Sequence, residues 1–395
     1  MNKKRKAIIF MIMALSICLA FSACGKKEPE AAEPKIEGCA IQHEEEFGGV
    51  YIETTIDDFN ALGFEYGDSV KVVFSNGYTL EDVPYYNGYY VDAGQPLLIA
   101  YPGYDYIKAC VNYGEDLWDT GGLYAAPGMR LYSAAGLDEH CTASVYLNEH
   151  GKYIDTQTAR DIHYYDERDK YPSDAVFANF RNIKVGNIKE NTLYRSASPC
   201  DNQHNRASYV DALISEAGVR FILNLSDNDA KIEKYMKADD FDSPYFKSLY
   251  EEGNVIPLSM TMNFASDDFK EKIAKGFAEM AEKDGPYLVH CTEGKDRTGF
   301  ICMLLEALAG ASYQEIVDDY MITYDNYYEI NEEKDKVKYD LILEKNLIPM
   351  MYTVVGDESQ DLKTIDLSAY ARAYLTDIGM TPSQIDALLA RITDR

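Results

Sequence analysis

The sequence predicts an α/β fold for the C-terminal half, a central, mostly parallel sheet flanked by helices, preceded by a small all-β domain. Three observations predict it. After Asp174, helical periodicity alternates with short apolar runs, the pattern of βαβ units. The apolar run Tyr287 to Val289 is followed by a short glycine-containing loop and then by Thr298 to Ala309, which is apolar nearly all round and so reads as a buried helix. Before Asp119, β-branched runs are instead broken by Asn-Gly turns. A chain of 395 residues with 46% apolar content has room for two packed cores.

The first residues read as a targeting segment. Lys3, Lys4, Arg5 and Lys6 form a basic region, Ala7 to Leu19 is apolar, and Phe21-Ser22-Ala23 sets small residues before Cys24. Together with the polar stretch Gly25 to Pro34, this resembles a bacterial lipobox. The resemblance makes residues 1–24 a signal peptide with lipobox and Cys24 the lipid attachment site. It implies a protein outside the cytoplasm, lipid-anchored to the bacterial cell membrane or secreted. Residues 25–38, rich in Glu, Ala and Pro, read as a linker.

Residues 39–160 are assigned to the β-rich domain. Ser69 to Phe74 and Val83 to Tyr86 are strand-like, and Asn76-Gly77 and Asn87-Gly88 are hairpin signals. The tyrosines here, part of 33 in the chain, read as half-buried strand residues rather than a glycan- or peptide-binding surface. Gly121 to Arg160 shows no clear period and stays unassigned.

Residues 161–395 form the α/β domain. Ala207 to Ala217 puts Val210, Leu213, Ile214 and Ala217 on one helical face, Gly218 closes it, and Val219 to Leu225 follows as a strand. Asp267 to Lys283 is amphipathic, with Phe269, Ile273, Phe277 and Met280 on one face. Ser312 with Glu315, and Thr381 with Gln384 behind Pro382, are capping boxes that open two further helices.

The formal charge of −28 disfavours nucleic acid as a partner. Eight cysteines show no spacing that reads as zinc or redox chemistry. An oxidising compartment would allow disulfides among Cys39, Cys110, Cys141 and Cys200, with the pairing open. Cys291 is required as a free thiol.

The chemistry lies in His290-Cys291-Thr292-Glu293-Gly294-Lys295-Asp296-Arg297-Thr298-Gly299. Its cysteine and arginine are five residues apart, between a strand and a buried helix. A transferring phosphoryl group needs a nucleophile on one side and donors around its equatorial oxygens. Successive backbone N–H groups supply donors, and a planar guanidinium supplies a two-pronged one that lysine cannot match. The same donors, with the N-terminus of the following helix, stabilise a thiolate on Cys291. Thr298 is placed to donate to that thiolate as it departs, and His290 to orient the loop. Thr292, Glu293, Gly294, Lys295, Asp296 and Arg297 are the phosphate-binding set.

This string resembles the protein tyrosine phosphatase superfamily, most closely its atypical bacterial group with the signature HCxxGKDRTG. Asn179-Phe180-Arg181-Asn182, Leu193-Tyr194-Arg195-Ser196 and Asp319-Tyr320 match further motifs of that group in order. The resemblance implies that superfamily's fold and a secreted or anchored phosphomonoesterase without metal or other cofactor. The implied substrates are phosphorylated protein (phosphotyrosine, also phosphoserine or phosphothreonine), phosphoinositides and inositol phosphates.

Lys295 stands where tensin-type phosphoinositide phosphatases also place a lysine; it reads either as a second cation for a polyphosphorylated head group or as a residue that shapes the loop. Asp296 matches the residue this group uses as general acid, and Asp227 and Asp267 are the alternatives. Asp267 also reads as a helix-start residue capped by Ser266. Relatives carry DLRS where this chain has Asn224-Leu225-Ser226-Asp227, and a small residue where it has Glu293. The added carboxylate is expected to weaken polyanion binding and to hold the thiolate less well. Two rival readings are a catalytically weak phosphate- or phosphoinositide-binding module with the β domain as its main interaction surface, and sulfur transfer or arsenate reduction on the same loop.

Overall fold

A computed structural model describes residues 33–45, 48–112, 116–118 and 136–394. The targeting segment expected over residues 1–24, with Cys24, lies outside them. Seven strands form a closed barrel: β1 (Lys35–His43), β2 (Val50–Thr55), β3 (Ser69–Phe74), β4 (Thr79–Tyr86), β5 (Pro96–Ile99), β6 (Tyr106–Val111) and β7 (Thr142–Glu149). Their order around the barrel is β1-β2-β6-β5-β4-β3-β7. Alternate residues such as Val50, Ile52, Val70, Val72, Ile107, Ala109 and Val145 fill its interior.

Three expectations change here. The linker expected over 25–38 is already strand from Lys35; Ile36 pairs with Val145, and a bulge between Ile36 and Cys39 breaks the alternation that would reveal the strand. The unassigned stretch before Arg160 contains β7 and the helix Ile154–Arg160. Asn76-Gly77 does turn a hairpin, with Gly77 at φ +93° and the Phe74 and Tyr78 backbones paired across it. Asn87-Gly88 does not, since β4 and β5 run parallel, Tyr85 opposite Leu98. A Cβ at position 88 would lie 2.4 Å from the Tyr90 ring, so this glycine serves close packing rather than a tight turn.

The second domain is built on a five-stranded sheet: β8 (Arg181–Asn182), β9 (Leu193–Ser196), β10 (Phe221–Asn224), β11 (Val255–Pro257) and β12 (Tyr287–His290). The order is β11-β10-β12-β9-β8, parallel except for the β8–β9 edge. The fold is thus the tyrosine-phosphatase-like α/β arrangement expected. Phe221 to Asn224 and Tyr287 to His290 are buried throughout, as strands covered on both faces must be. The helix Asp296–Leu308 follows β12 and is buried from Thr298 to Leu308. Both capping boxes are present, on the helices Tyr313–Tyr328 and Pro382–Ile392. Since β12 is the central strand, its C-terminal end and the loop after it open at the middle of the sheet, where parallel α/β folds place their ligands.

Candidate active site

Cys291 lies at the end of β12 and is 3% exposed. The loop that leaves it is held from outside by its carbonyl groups. The Cys291 carbonyl accepts from His290 Nδ1–H (3.2 Å) and that of Thr292 from the Ser198 N–H (3.0 Å). The Glu293 carbonyl accepts from the Tyr327 hydroxyl (2.8 Å), and that of Gly294 from Arg195 (3.0 Å) and Asn179 (3.2 Å). The Lys295 carbonyl accepts from Gly299 within the helix (2.7 Å). In a trans peptide the N–H of the next residue points opposite to the carbonyl. Five outward carbonyls therefore turn the N–H groups of Thr292, Glu293, Gly294, Lys295 and Asp296 inward, into a bowl of donors at the start of a helix.

Glycine is obligatory at 294. Its φ is +70°, and a Cβ would lie 2.2 Å from the Ser196 carbonyl oxygen, on the backbone of β9. Gly299 has the same function against the Tyr320 ring, 2.7 Å from its ideal Cβ.

Arg297 donates to the Met260 carbonyl (3.2 Å) and to Thr292 Oγ1 (3.4 Å). Met260 is placed by the extension of β11, where Leu258 and Met260 donate to Asn224 and Leu225. Arg297 Nε, Thr298 Oγ1 and His290 Nε2 are buried without a partner among the described residues.

The strings that carry the resemblance meet behind the loop. Asn179 binds the loop carbonyls; Arg181 and Arg195 both pair with Asp319, at 2.9 and 2.8 Å. Burial pushes the Asp319 carboxyl up, but the two guanidinium groups outweigh it and hold it well below the usual carboxylate range. Burial also drives the neighbouring Glu306 well above its ordinary value, and the Asp319 carboxylate beside it adds to that rise. The motifs are a frame that holds the bowl from behind, through the loop carbonyls of Glu293 and Gly294.

The candidate acids separate. Asp296 is partly exposed and lies 3.7 Å from Lys295 Nζ. Asp227 is buried (1% exposed), accepting from Ser226 Oγ (2.9 Å) and Asn224 Nδ2 (3.1 Å). Asp267 is exposed at the start of its helix, with Ser266 accepting from the Phe269 N–H (3.2 Å). Glu293 does not face the bowl: one oxygen accepts from the Tyr164 hydroxyl (2.9 Å) and the other pairs with Lys295 (3.1 Å).

Tyr164, Tyr327, Glu306 and Met260 escape sequence reading. A signal for Tyr327 exists, because Tyr320, Tyr324, Tyr327 and Tyr328 recur at helical spacing and share one face. No local pattern marks the other three.

His290 is fully buried, and burial lowers its imidazole from the usual 6.5 to about 4. Between those values the unfolded chain binds a proton that the folded one excludes, so stability is complete above pH 6.5 and declines as pH falls toward 4. The loss amounts to about 3 kcal/mol. Thermal melts from pH 7 to 4.5 are expected to show it, with a flatter profile for His290→Asn.

The sequence profile of a family described as the tyrosine phosphatase family matches residues 177–394. Over 43 residues, 11% of this chain, the sequence is 56% identical to the tyrosine-protein phosphatase of Nostoc commune, and the matched stretch spans 15% of that protein's length. Among solved structures, the core catalytic domain of the PP-IP phosphatase SIW14 from S. cerevisiae, in complex with citrate, is similar over 44% of this chain and 91% of its own, at 18% identity and a TM-score of 0.25. A cysteine-to-serine form of TpbA from P. aeruginosa, in complex with pTyr, is similar over 49% and 94%, at 15% identity and a TM-score of 0.27.

Proposed function

Because this chain belongs to the tyrosine phosphatase family, we propose that it hydrolyses phosphate monoesters through a phosphocysteine on Cys291. The observation that carries this reading is the bowl of five inward N–H groups beside the buried Cys291, with the Arg297 guanidinium at its edge. A phosphoryl group seated there has donors around its equatorial oxygens throughout transfer.

The Cys291 thiolate attacks phosphorus, the bond to the ester oxygen breaks, and Asp296 gives its proton to the departing alcohol or phenol. Asp296 then takes a proton from the water that attacks phosphocysteine. Inorganic phosphate leaves and the thiolate returns, with the Thr298 hydroxyl donating to the sulfur. The substrates are phosphotyrosine and related protein phosphomonoesters, or phosphoinositide and inositol phosphates. We place the enzyme outside the cytoplasm, tethered by lipid on Cys24; the basic, apolar and small-residue order of residues 3–24 supports this.

The acid assignment is tested by leaving group. Asp296→Ala is expected to lower kcat on phosphotyrosine by about 10²- to 10⁴-fold while substrate binding is kept, with a smaller loss on p-nitrophenyl phosphate, whose phenolate departs without a proton. A greater loss in Asp227→Ala would move the role to that residue.

A further inference from the structure

We propose that Glu293 is a specificity-determining residue that sets this site against polyphosphorylated substrates and in favour of singly phosphorylated ones, because it occupies Lys295, the cation beside the bowl. The inference rests on the function proposed above.

A monoester phosphate is served by the loop amides and Arg297. Any further phosphate on the same substrate needs another cation close by, and within the loop that cation is Lys295. Its ammonium group is already engaged by the Glu293 carboxylate (3.1 Å), the Tyr328 hydroxyl (3.1 Å) and, farther off, Asp296 (3.7 Å). The one positive charge is thus already matched by the Glu293 carboxylate, and the edge of the bowl carries no surplus for a second anion.

Glu293 cannot easily turn aside. Its other oxygen is bound by the Tyr164 hydroxyl (2.9 Å), and the Tyr164 ring stacks on Tyr327 with centroids 5.3 Å apart. The Tyr327 hydroxyl in turn donates to the Glu293 carbonyl (2.8 Å), and the Arg206 guanidinium lies 4.8 and 5.0 Å from the two ring centroids. Burial pushes the Glu293 carboxyl up, but Lys295 outweighs it and keeps it ionised. A second phosphate would therefore have to separate Lys295 from a fixed carboxylate and then sit beside that carboxylate. Selectivity here comes from a repulsive group as much as from an attractive one. Tyr164 precedes the family match at residues 177–394, so the latch is supplied from outside the part of the chain shared with the family.

The test compares phosphotyrosine with inositol hexakisphosphate as probe substrates. In Glu293→Gln, which keeps shape and removes charge, the ratio of kcat/KM for the inositol compound to that for phosphotyrosine is expected to rise about tenfold. Tyr164→Phe, which frees one carboxylate oxygen, raises it by less. An unchanged or lowered ratio in Glu293→Gln, or a wild-type enzyme that already prefers the hexakisphosphate, overturns the proposal. Absence of turnover on both probes in the wild type is instead a failure of the phosphatase reading. Calorimetric Kd values for the two probes on Cys291→Ser protein, with and without Glu293→Gln, then decide the selectivity question separately.

Discussion

Cys291→Ser is expected to abolish turnover of p-nitrophenyl phosphate and phosphotyrosine, a fall of about 10⁴-fold or more in kcat, while affinity for phosphotyrosine stays within a few-fold of wild type. A serine hydroxyl in the same place is a far poorer nucleophile than a thiolate, because it stays protonated where the thiol gives up its proton. The binding half of the site is untouched, because its donors are backbone N–H groups and Arg297. Stopped assays for kcat and titration calorimetry for Kd read the two halves independently. Residual turnover equal to wild type would sink the phosphocysteine reading and leave a phosphate-binding module.

Arg195→Met is expected to destabilise the second domain by about 3–5 kcal/mol and to lower activity with it. Arg195 is 1% exposed and is a main partner of two buried groups. One is the Asp319 carboxylate, which would keep Arg181 and its hydrogen bond with Glu306 against its desolvation. The other is the Gly294 carbonyl, which would keep the Asn179 amide alone and whose orientation turns the Lys295 N–H into the bowl. Arg195→Lys should recover little, since a single ammonium cannot reach Asp319 and Gly294 with the geometry of a guanidinium fork. Melting temperature follows the first loss and kcat the second. A shift worth under about 1 kcal/mol would mean that Arg181 and Glu306 satisfy Asp319 without Arg195.

What was legible in the sequence was what local chemistry writes down. The strand Ser69–Phe74, the hairpin at Asn76-Gly77, the buried helix after the loop and the two capping boxes each depend on residues within a few positions of one another. The loop was legible for the same reason, since its nucleophile, glycines and arginine are contiguous. Strand Thr142–Glu149 was not: only Ala143 and Val145 are fully buried in it, and a small residue beside a single valine makes too faint an alternation. Asn87-Gly88 misled, because a glycine chosen for contact with Tyr90 is written identically to one chosen for a turn. The frame of Asn179, Arg181, Arg195 and Asp319 could be matched as motifs, but its meaning required the sheet, which brings residues 99 to 138 positions apart onto the back of one loop.

The N-terminal barrel closes where Lys35–His43 pairs with Thr142–Glu149 on one side and with Val50–Thr55 on the other. A protease that released this one ribbon would bare two hydrogen-bonding flanks at once. Each flank is a docking rail for any extended segment that comes by, so a nicked molecule would recruit foreign chains or its own copies. The ring is thus a safeguard against self-association, and its clasp is the strand Lys35–His43.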